Sequence, residues 1–143
     1  MKGTVGLKDV ILDYKGVVGV IPSHIALSGA DLELSGVAGR ELLLKEALEG
    51  HLDSYDYVLL DCHPSLGLLT LNALVAAREI YIVLQTEFLA LQGMSQLLDA
   101  VSIIKKRLNK NLEITGIIGT QFDNRKKLNK AVMDKIREHF GPK

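Results

Sequence analysis

An aspartate at the end of an apolar run is the residue of this sequence best placed to do chemistry. Residues 57–60 are apolar, Asp61 follows them, and a Pro/Ser/Gly loop comes directly after. A short apolar run bounded by turn formers predicts a buried strand, here residues 55–61. Ligands of open α/β sheets bind at the carboxyl ends of strands, and an acid there can hold hydrated Mg²⁺. The alternative is a strand that ends in a solvated aspartate capping its own loop.

The residues next to Asp61 offer no further catalytic set. Cys62 is the only cysteine, and no paired base is evident, so we expect a small residue beside the loop rather than a nucleophile. His63 is a lone histidine, so it provides neither a set of metal ligands nor a catalytic triad. A single cysteine also excludes an internal disulfide framework and fits a reducing cytoplasm.

Charge is divided unevenly along a chain whose net charge is zero. Residues 1–100 carry 6 Lys+Arg and 13 Asp+Glu, whereas residues 101–143 carry 11 and 4, giving balances of −7 and +7. The basic end contains the cluster Arg125, Lys126, Lys127 and Lys130. Such asymmetry favours an anion-binding face, and the scarcity of aromatics there favours phosphate contact over base stacking. The alternative is that these basic residues are the solvent-exposed face of an ordinary amphipathic helix.

Hydrophobic periodicity predicts alternating strands and helices. The predicted strands are 15–21, 55–61, 79–85 and 112–120, and the predicted helices are 66–77, 91–108 and 127–139. A further helix starts at Ser28 or Asp31 and runs to Leu48, or it divides into two because Gly36 and Gly39 weaken its middle. This alternation predicts a doubly wound, mostly parallel sheet in a single domain, 1–143. No apolar run is long enough for a membrane helix, and the start does not resemble a signal peptide.

Residues 61–74 form the motif D-C-H-P-S-L-G-L-L-T-L-N-A-L directly after the predicted strand. This motif resembles the Walker B and switch II segment of the ParA/Soj family of chromosome- and plasmid-partitioning ATPases, usually D-C-P-P-S-L-G-x-L-T-x-N-A-L, with His63 in place of a proline. The likeness continues through residues 85–98 and 105–109, and it begins upstream in residues 21–34 and 39–41. The resemblance covers roughly residues 7–141 and implies a three-layer αβα, P-loop NTPase-like fold.

The family's phosphate-binding loop, K-G-G-x-G-K-[ST], is not matched in this sequence. The only similar stretch is residues 2–8, which lacks the Gly-Lys-Ser/Thr ending that meets phosphate and Mg²⁺. We therefore expect an incomplete fold without the Walker A unit, the middle and C-terminal part of a ParA-type ATPase or a naturally shortened relative. The chain alone is expected to bind nucleotide weakly and to be inactive as an ATPase.

The resemblance implies the function of the intact parent protein, in which a phosphate-binding loop precedes this chain. It implies ATP-dependent DNA segregation, with Asp61 holding Mg²⁺ through water and with Thr120 and Gln121 at the adenine edge of ATP. It also implies that the ATP-bound parent is a cytoplasmic, nucleoid-associated homodimer that does not bind a membrane. This homodimer would bind DNA non-specifically through residues 125–127 and 130 and would interact with a ParB-like centromere-binding partner. Two alternatives stay open: a MinD-like positioner of cell division, and a non-enzymatic shortened paralogue that binds DNA or a partner.

Overall fold

The computed structural model describes residues 5–141, apart from the side chains of residues 88–92 and 139. It divides into two compact units, an N-terminal unit ending at Ala76 and a C-terminal unit beginning at Ala77, which are described separately. That they belong to one domain, 1–143, stays a prediction.

The N-terminal unit opens with a short helix and a hairpin. Helix α1 (Leu7–Val10) is followed by the antiparallel strands β1 (Leu12–Tyr14) and β2 (Val18–Val20). Lys15 and Gly16 between them have φ angles of 58° and 66°, and positive φ at both central residues is typical of a tight hairpin turn. The prediction of one buried strand over residues 15–21 is therefore wrong. Its first residues form a turn, and both hairpin strands are exposed.

Three helices complete the helical part of this unit. A 3-10 turn (Ile25–Gly29) leads into α2 (Ala30–Glu33), and α3 (Leu43–Leu48) and α4 (Leu68–Ala76) follow. The alternative of two shorter helices is confirmed, because Gly39 lies between α2 and α3 with a φ of 70°. Leu32 is 82% exposed, since α2 is too short to carry a continuous apolar stripe.

The segment from Tyr55 to Asp61 is not a strand in this structure. Residues 57–61 have no regular secondary structure, and Leu59 is 90% exposed. A buried strand needs hydrogen-bonded neighbours, but in the described part of the chain β1 pairs with β2 and another two strands pair with each other. The strand predicted over residues 55–61 is therefore wrong here, because apolar pattern alone does not supply a pairing partner.

The C-terminal unit is a β-α-β-α arrangement that matches the sequence prediction within a few residues. It consists of β3 (Glu79–Gln85), α5 (Phe88–Arg107), β4 (Glu113–Thr120) and α6 (Lys127–Phe140). β3 and β4 pair in parallel, with an irregularity between Ile80 and Tyr81 where the β4 partners skip a residue. The α/β class with a parallel sheet is confirmed. Parallel strands require a crossover, and α5 provides it.

One apolar cluster joins the sheet of this unit to both helices. Its buried members are Leu84, Met94, Val132 and Ile136. Gly119 lets α6 approach β4, because a Cβ at this position would lie 2.8 Å from the sulfur of Met133. Leu128 is 52% exposed, since it lies on the first turn of α6 outside this cluster.

Candidate functional site

Asp61 lies at the end of the irregular segment 57–61 of the N-terminal unit, and it is exposed. No hydrogen bond joins its carboxylate to another residue that the structure describes. The pKa of the neighbouring Cys62 thiol is raised, first by desolvation of the sulfur and then by the charge of Asp61. Cys62 is exposed as a residue, but its raised pKa favours an inert protonated thiol. Asp61 is therefore available to an external ligand, and Cys62 is not an activated nucleophile.

The loop after Asp61 is held by side-chain contacts to its own backbone. The hydroxyl of Thr70, on α4, lies 2.7 Å from the carbonyl oxygen of Ser65 and 3.2 Å from that of His63. Nδ1 of His63 accepts from the backbone N–H of Ser65 at 3.2 Å. Proline at position 63 would restrict φ, whereas histidine restrains the same turn through a hydrogen bond.

The start of α4 is capped by a residue from a distant part of the sequence. Oδ1 of Asp31, on α2, accepts from the backbone N–H of Leu68 at 2.9 Å. Its other carboxylate oxygen would lie 2.9 Å from a Cβ at position 67, which is glycine. The sequence suggested Asp31 as the cap of its own helix, and its contact with α4 could not be found from local pattern.

Asn72 connects α4 to the chain between α2 and α3. The side chain is fully buried and donates to the carbonyl oxygens of Arg40 and Leu68, both at 2.9 Å. Its Oδ1 accepts from the backbone N–H of Leu44 at 3.0 Å. This buried amide was missed by sequence reasoning, although an asparagine inside an apolar helix is itself a signal of a specific polar contact.

Thr120 and Gln121 lie at the carboxyl end of β4, in the C-terminal unit. The Thr120 hydroxyl donates to the carbonyl oxygen of Leu84 at 3.3 Å, so it serves to join the two strands. Gln121 is exposed and has a φ of 53°, an uncommon value for a residue other than glycine. The role of both residues at an adenine edge stays a prediction.

A buried polar network supports this end of the sheet. The hydroxyl of Thr86 lies 3.3 Å from the carbonyl oxygen of Thr120 and 3.4 Å from that of Gln121. Asn129, on α6, donates to the carbonyl oxygen of Thr86 and accepts from the backbone N–H of Asp123 at 3.0 Å. Thr86 and Asn129 thus fix the loop between β4 and α6. Sequence reasoning did not identify either of them.

The predicted DNA-binding residues follow this loop, but they are not equivalent. Arg125 makes a two-point contact with Asp123, at 3.0 Å and 3.1 Å, although the arginine side chain is 91% exposed. This contact lowers the pKa of Asp123. Lys126, Lys127 and Lys130 are exposed and form no ion pair with any residue that the structure describes. The lysines are therefore free to meet an anion, whereas Arg125 must first exchange its partner.

Within residues 5–141, apart from the side chains left undescribed, no group of three His, Cys, Asp or Glu residues could hold a metal ion. The helices in this part of the chain are also too short or too polar to cross a membrane. A single carboxylate such as Asp61 fits hydrated Mg²⁺ that is shared with substrate phosphates, because Mg²⁺ keeps most of its waters.

Comparison with known proteins identifies the family. A family model described as an AAA domain matches residues 2–114. The sporulation initiation inhibitor protein Soj of Bacillus subtilis is 45% identical over 124 residues, which are 87% of this chain and 49% of that protein. The chromosome-partitioning ATPase Soj of Treponema pallidum is 47% identical over 123 residues, 86% of this chain and 49% of that protein. The chain therefore belongs to the AAA domain family, and within that family it is similar to Soj and ParA proteins.

Solved structures agree on the fold. Cobyrinic acid a,c-diamide synthase from Mycobacterium smegmatis, with bound ATP analog and magnesium, gives a TM-score of 0.88 at 34% identity, over 95% of this chain and 54% of that one. A plasmid partition protein from Borrelia burgdorferi gives 0.77 at 24% identity, over 97% and 56%. The predicted P-loop NTPase-like class is confirmed. The chain spans about half the length of the curated relatives it matches.

Proposed function

We propose that this chain is part of an ATPase that segregates chromosomal or plasmid DNA. In the intact parent, ATP and Mg²⁺ bridge two copies of the protein, and the dimer binds DNA without reading its sequence. A ParB-like centromere-binding partner then stimulates hydrolysis. The similarity to Soj and ParA proteins most directly supports a role in DNA segregation.

The observation that carries this proposal is the state of Asp61. Asp61 is exposed and its carboxylate has no hydrogen-bond partner among the described residues, while the loop after it is held by Thr70. A carboxylate that only capped its loop would instead accept from a nearby backbone N–H, as Asp13 does from Gly16. Asp61 therefore has the properties of a ligand-binding group.

The chemistry that this arrangement supports is transfer of a phosphoryl group to water. Bound Mg²⁺ would supply charge stabilisation at the phosphates. Asp61 would hold the metal through a water molecule, and the restrained loop would keep the carboxylate in one position. Because phosphoryl transfer depends mainly on positioning and electrostatics, even one misplaced carboxylate should slow it strongly.

Replacement of Asp61 by alanine in the parent protein tests the proposal. We expect the rate of ATP hydrolysis to fall at least about 100-fold, roughly 2.7 kcal/mol of activation free energy, with folding preserved because the residue is exposed. Asp56→Ala removes an exposed acid from the same segment and is the matched control. Near-normal turnover in Asp61→Ala would show that Asp61 is only a loop residue.

A further inference from the structure

Asp31 makes a contact that neither its own helix nor the proposed chemistry explains. One carboxylate oxygen accepts from the backbone N–H of Leu68, the first residue of α4, and the other occupies the space that a side chain at Gly67 would need. The two contacts together place this carboxylate against the entry of α4 from another element.

The physical reason for such a contact lies in the start of α4. The first N–H groups of a helix have no partner within the helix, and the helix dipole favours negative charge there. The residue before α4 is Gly67, which has no side chain to act as a cap. A carboxylate from α2 supplies both the acceptor and the charge, and glycine leaves the room for it.

The first turn of α4 also holds the loop that follows Asp61. Thr70 contacts the carbonyl oxygens of His63 and Ser65 from this turn. A shift in the start of α4 would therefore move Thr70, and with it the loop that begins one residue after Asp61. Asp31 and Asp61 are linked in this way through two hydrogen bonds and two short stretches of backbone, residues 68–70 and 61–63.

We propose that Asp31 is a positioning residue, which fixes the first turn of α4 and thereby the loop that directly follows Asp61. Its consequence for catalysis rests on the function proposed above, whereas its effect on α4 does not. The structural and the catalytic parts are therefore tested by separate measurements.

The structural part is tested by residue-resolved amide hydrogen exchange on the 143-residue chain. In Asp31→Ala we expect exchange at Leu68 and at the loop amide of Ser65 to rise by about tenfold or more, because the cap and the loop open together. Asp31→Asn keeps an acceptor oxygen without the charge and should recover part of the protection. Asp53→Ala, another exposed aspartate of the same unit, should change neither amide. Unchanged exchange at both amides in Asp31→Ala would overturn the proposal.

Gly67→Ala tests the geometry of the contact independently. The added methyl group would displace the carboxylate of Asp31, so this change alone should raise exchange at Leu68. In the double variant with Asp31→Ala, Gly67→Ala should add little, because the group that it displaces is gone. Full additivity of the two changes would show that Asp31 does not act at this position.

The catalytic part is tested in the parent protein by the Mg²⁺ dependence of ATP hydrolysis. Asp31→Ala should lower kcat about tenfold and raise the Mg²⁺ concentration for half-maximal turnover, while Asp31→Asn recovers part of both. Partial unfolding would lower kcat but leave the Mg²⁺ dependence unchanged. Increased exchange with unaltered kcat and Mg²⁺ dependence would overturn the positioning of Asp61. If the wild-type parent hydrolysed no ATP, the proposed function would fail, and the exchange measurements would still decide the role of Asp31 at α4.

Discussion

Asn72 is the residue on which the polar organisation of the N-terminal unit most depends. It is fully buried, both ends of its amide are hydrogen-bonded, and its partners lie in α4 and in the chain from Arg40 to Leu44. A satisfied buried amide adds little net stability, but removal of one partner leaves the other groups unsatisfied. Loss of Asn72 should therefore cost more than its own hydrogen bonds contribute.

We expect Asn72→Ala to destabilise the chain by about 2–4 kcal/mol, since the carbonyl of Arg40 and the N–H of Leu44 lose this partner and a small cavity remains. Urea unfolding followed by circular dichroism measures the change. Asn111→Ala is the control, because that asparagine is exposed and its side chain makes no hydrogen bond with a described residue. Equal stability of the two variants would mean that water replaces the hydrogen bonds of the amide.

At the scale of elements, α6 has an apolar side and a side with exposed lysines. Val132 and Ile136 are buried in the apolar cluster, whereas Lys127 and Lys130 are exposed. Met133 packs over Gly119 and brings the helix close to β4. The packing of the apolar side fixes the position of α6, and under the proposed function it would give the lysines a fixed spacing for phosphate groups.

Changing Arg125 and Lys127 to alanine in the ATP-bound parent should weaken binding to unrelated DNA duplexes about equally. Removal of each phosphate-binding side chain should reduce the slope of log K against log[salt] by roughly 0.9. Fluorescence anisotropy over a salt series measures both quantities. Arg125 should contribute less than Lys127, because it must give up its contact with Asp123.

Lys135→Ala removes one positive charge elsewhere on the same exposed helix surface and is the control for non-specific charge effects. If the double variant kept the affinity and salt slope of the unchanged protein, residues 125–130 would be an ordinary solvated surface. DNA binding would then have to be sought on another part of the protein.

At the scale of the whole chain, the phosphate-binding elements of the family are not evident in this sequence. Gly6, in the stretch most similar to a phosphate loop, begins α1, and its backbone N–H donates to Asp9 at 3.2 Å. An acidic side chain at this position would repel a phosphate, and the lysine and hydroxyl of the phosphate-binding loop motif are not present in this stretch.

Isothermal titration calorimetry of the 143-residue chain with MgATP should therefore show no tight site. Asp61 alone lacks the cradle of backbone N–H groups and the lysine that bind phosphates. A dissociation constant below about 10 μM, near −7 kcal/mol, would contradict this expectation. If binding is weak, as expected, Asp61→Ala should leave the calorimetric signal unchanged, since a single carboxylate adds little without bound phosphates.

Local sequence patterns specify the C-terminal unit almost completely. The bounds of β3, α5, β4 and α6 agree with the predicted ones within a few residues, because period-2 and period-3.6 patterns arise from neighbouring residues. The motif beginning at Asp61 is also a local pattern, and it was enough to indicate the family. The contacts of Thr86 and Asn129 were missed in this unit, because they join residues 43 positions apart.

The organisation of the N-terminal unit depends instead on contacts between distant parts of the chain. The segment from Tyr55 to Asp61 has the composition of a strand, but a strand forms only where another strand meets its hydrogen-bonding edge. Asp31 looked like the cap of its own helix, yet it caps α4, 37 residues further along. A local pattern specifies which groups need a partner. Which distant group meets that need is set by how the chain folds back on itself, and so it could not be inferred from neighbouring residues.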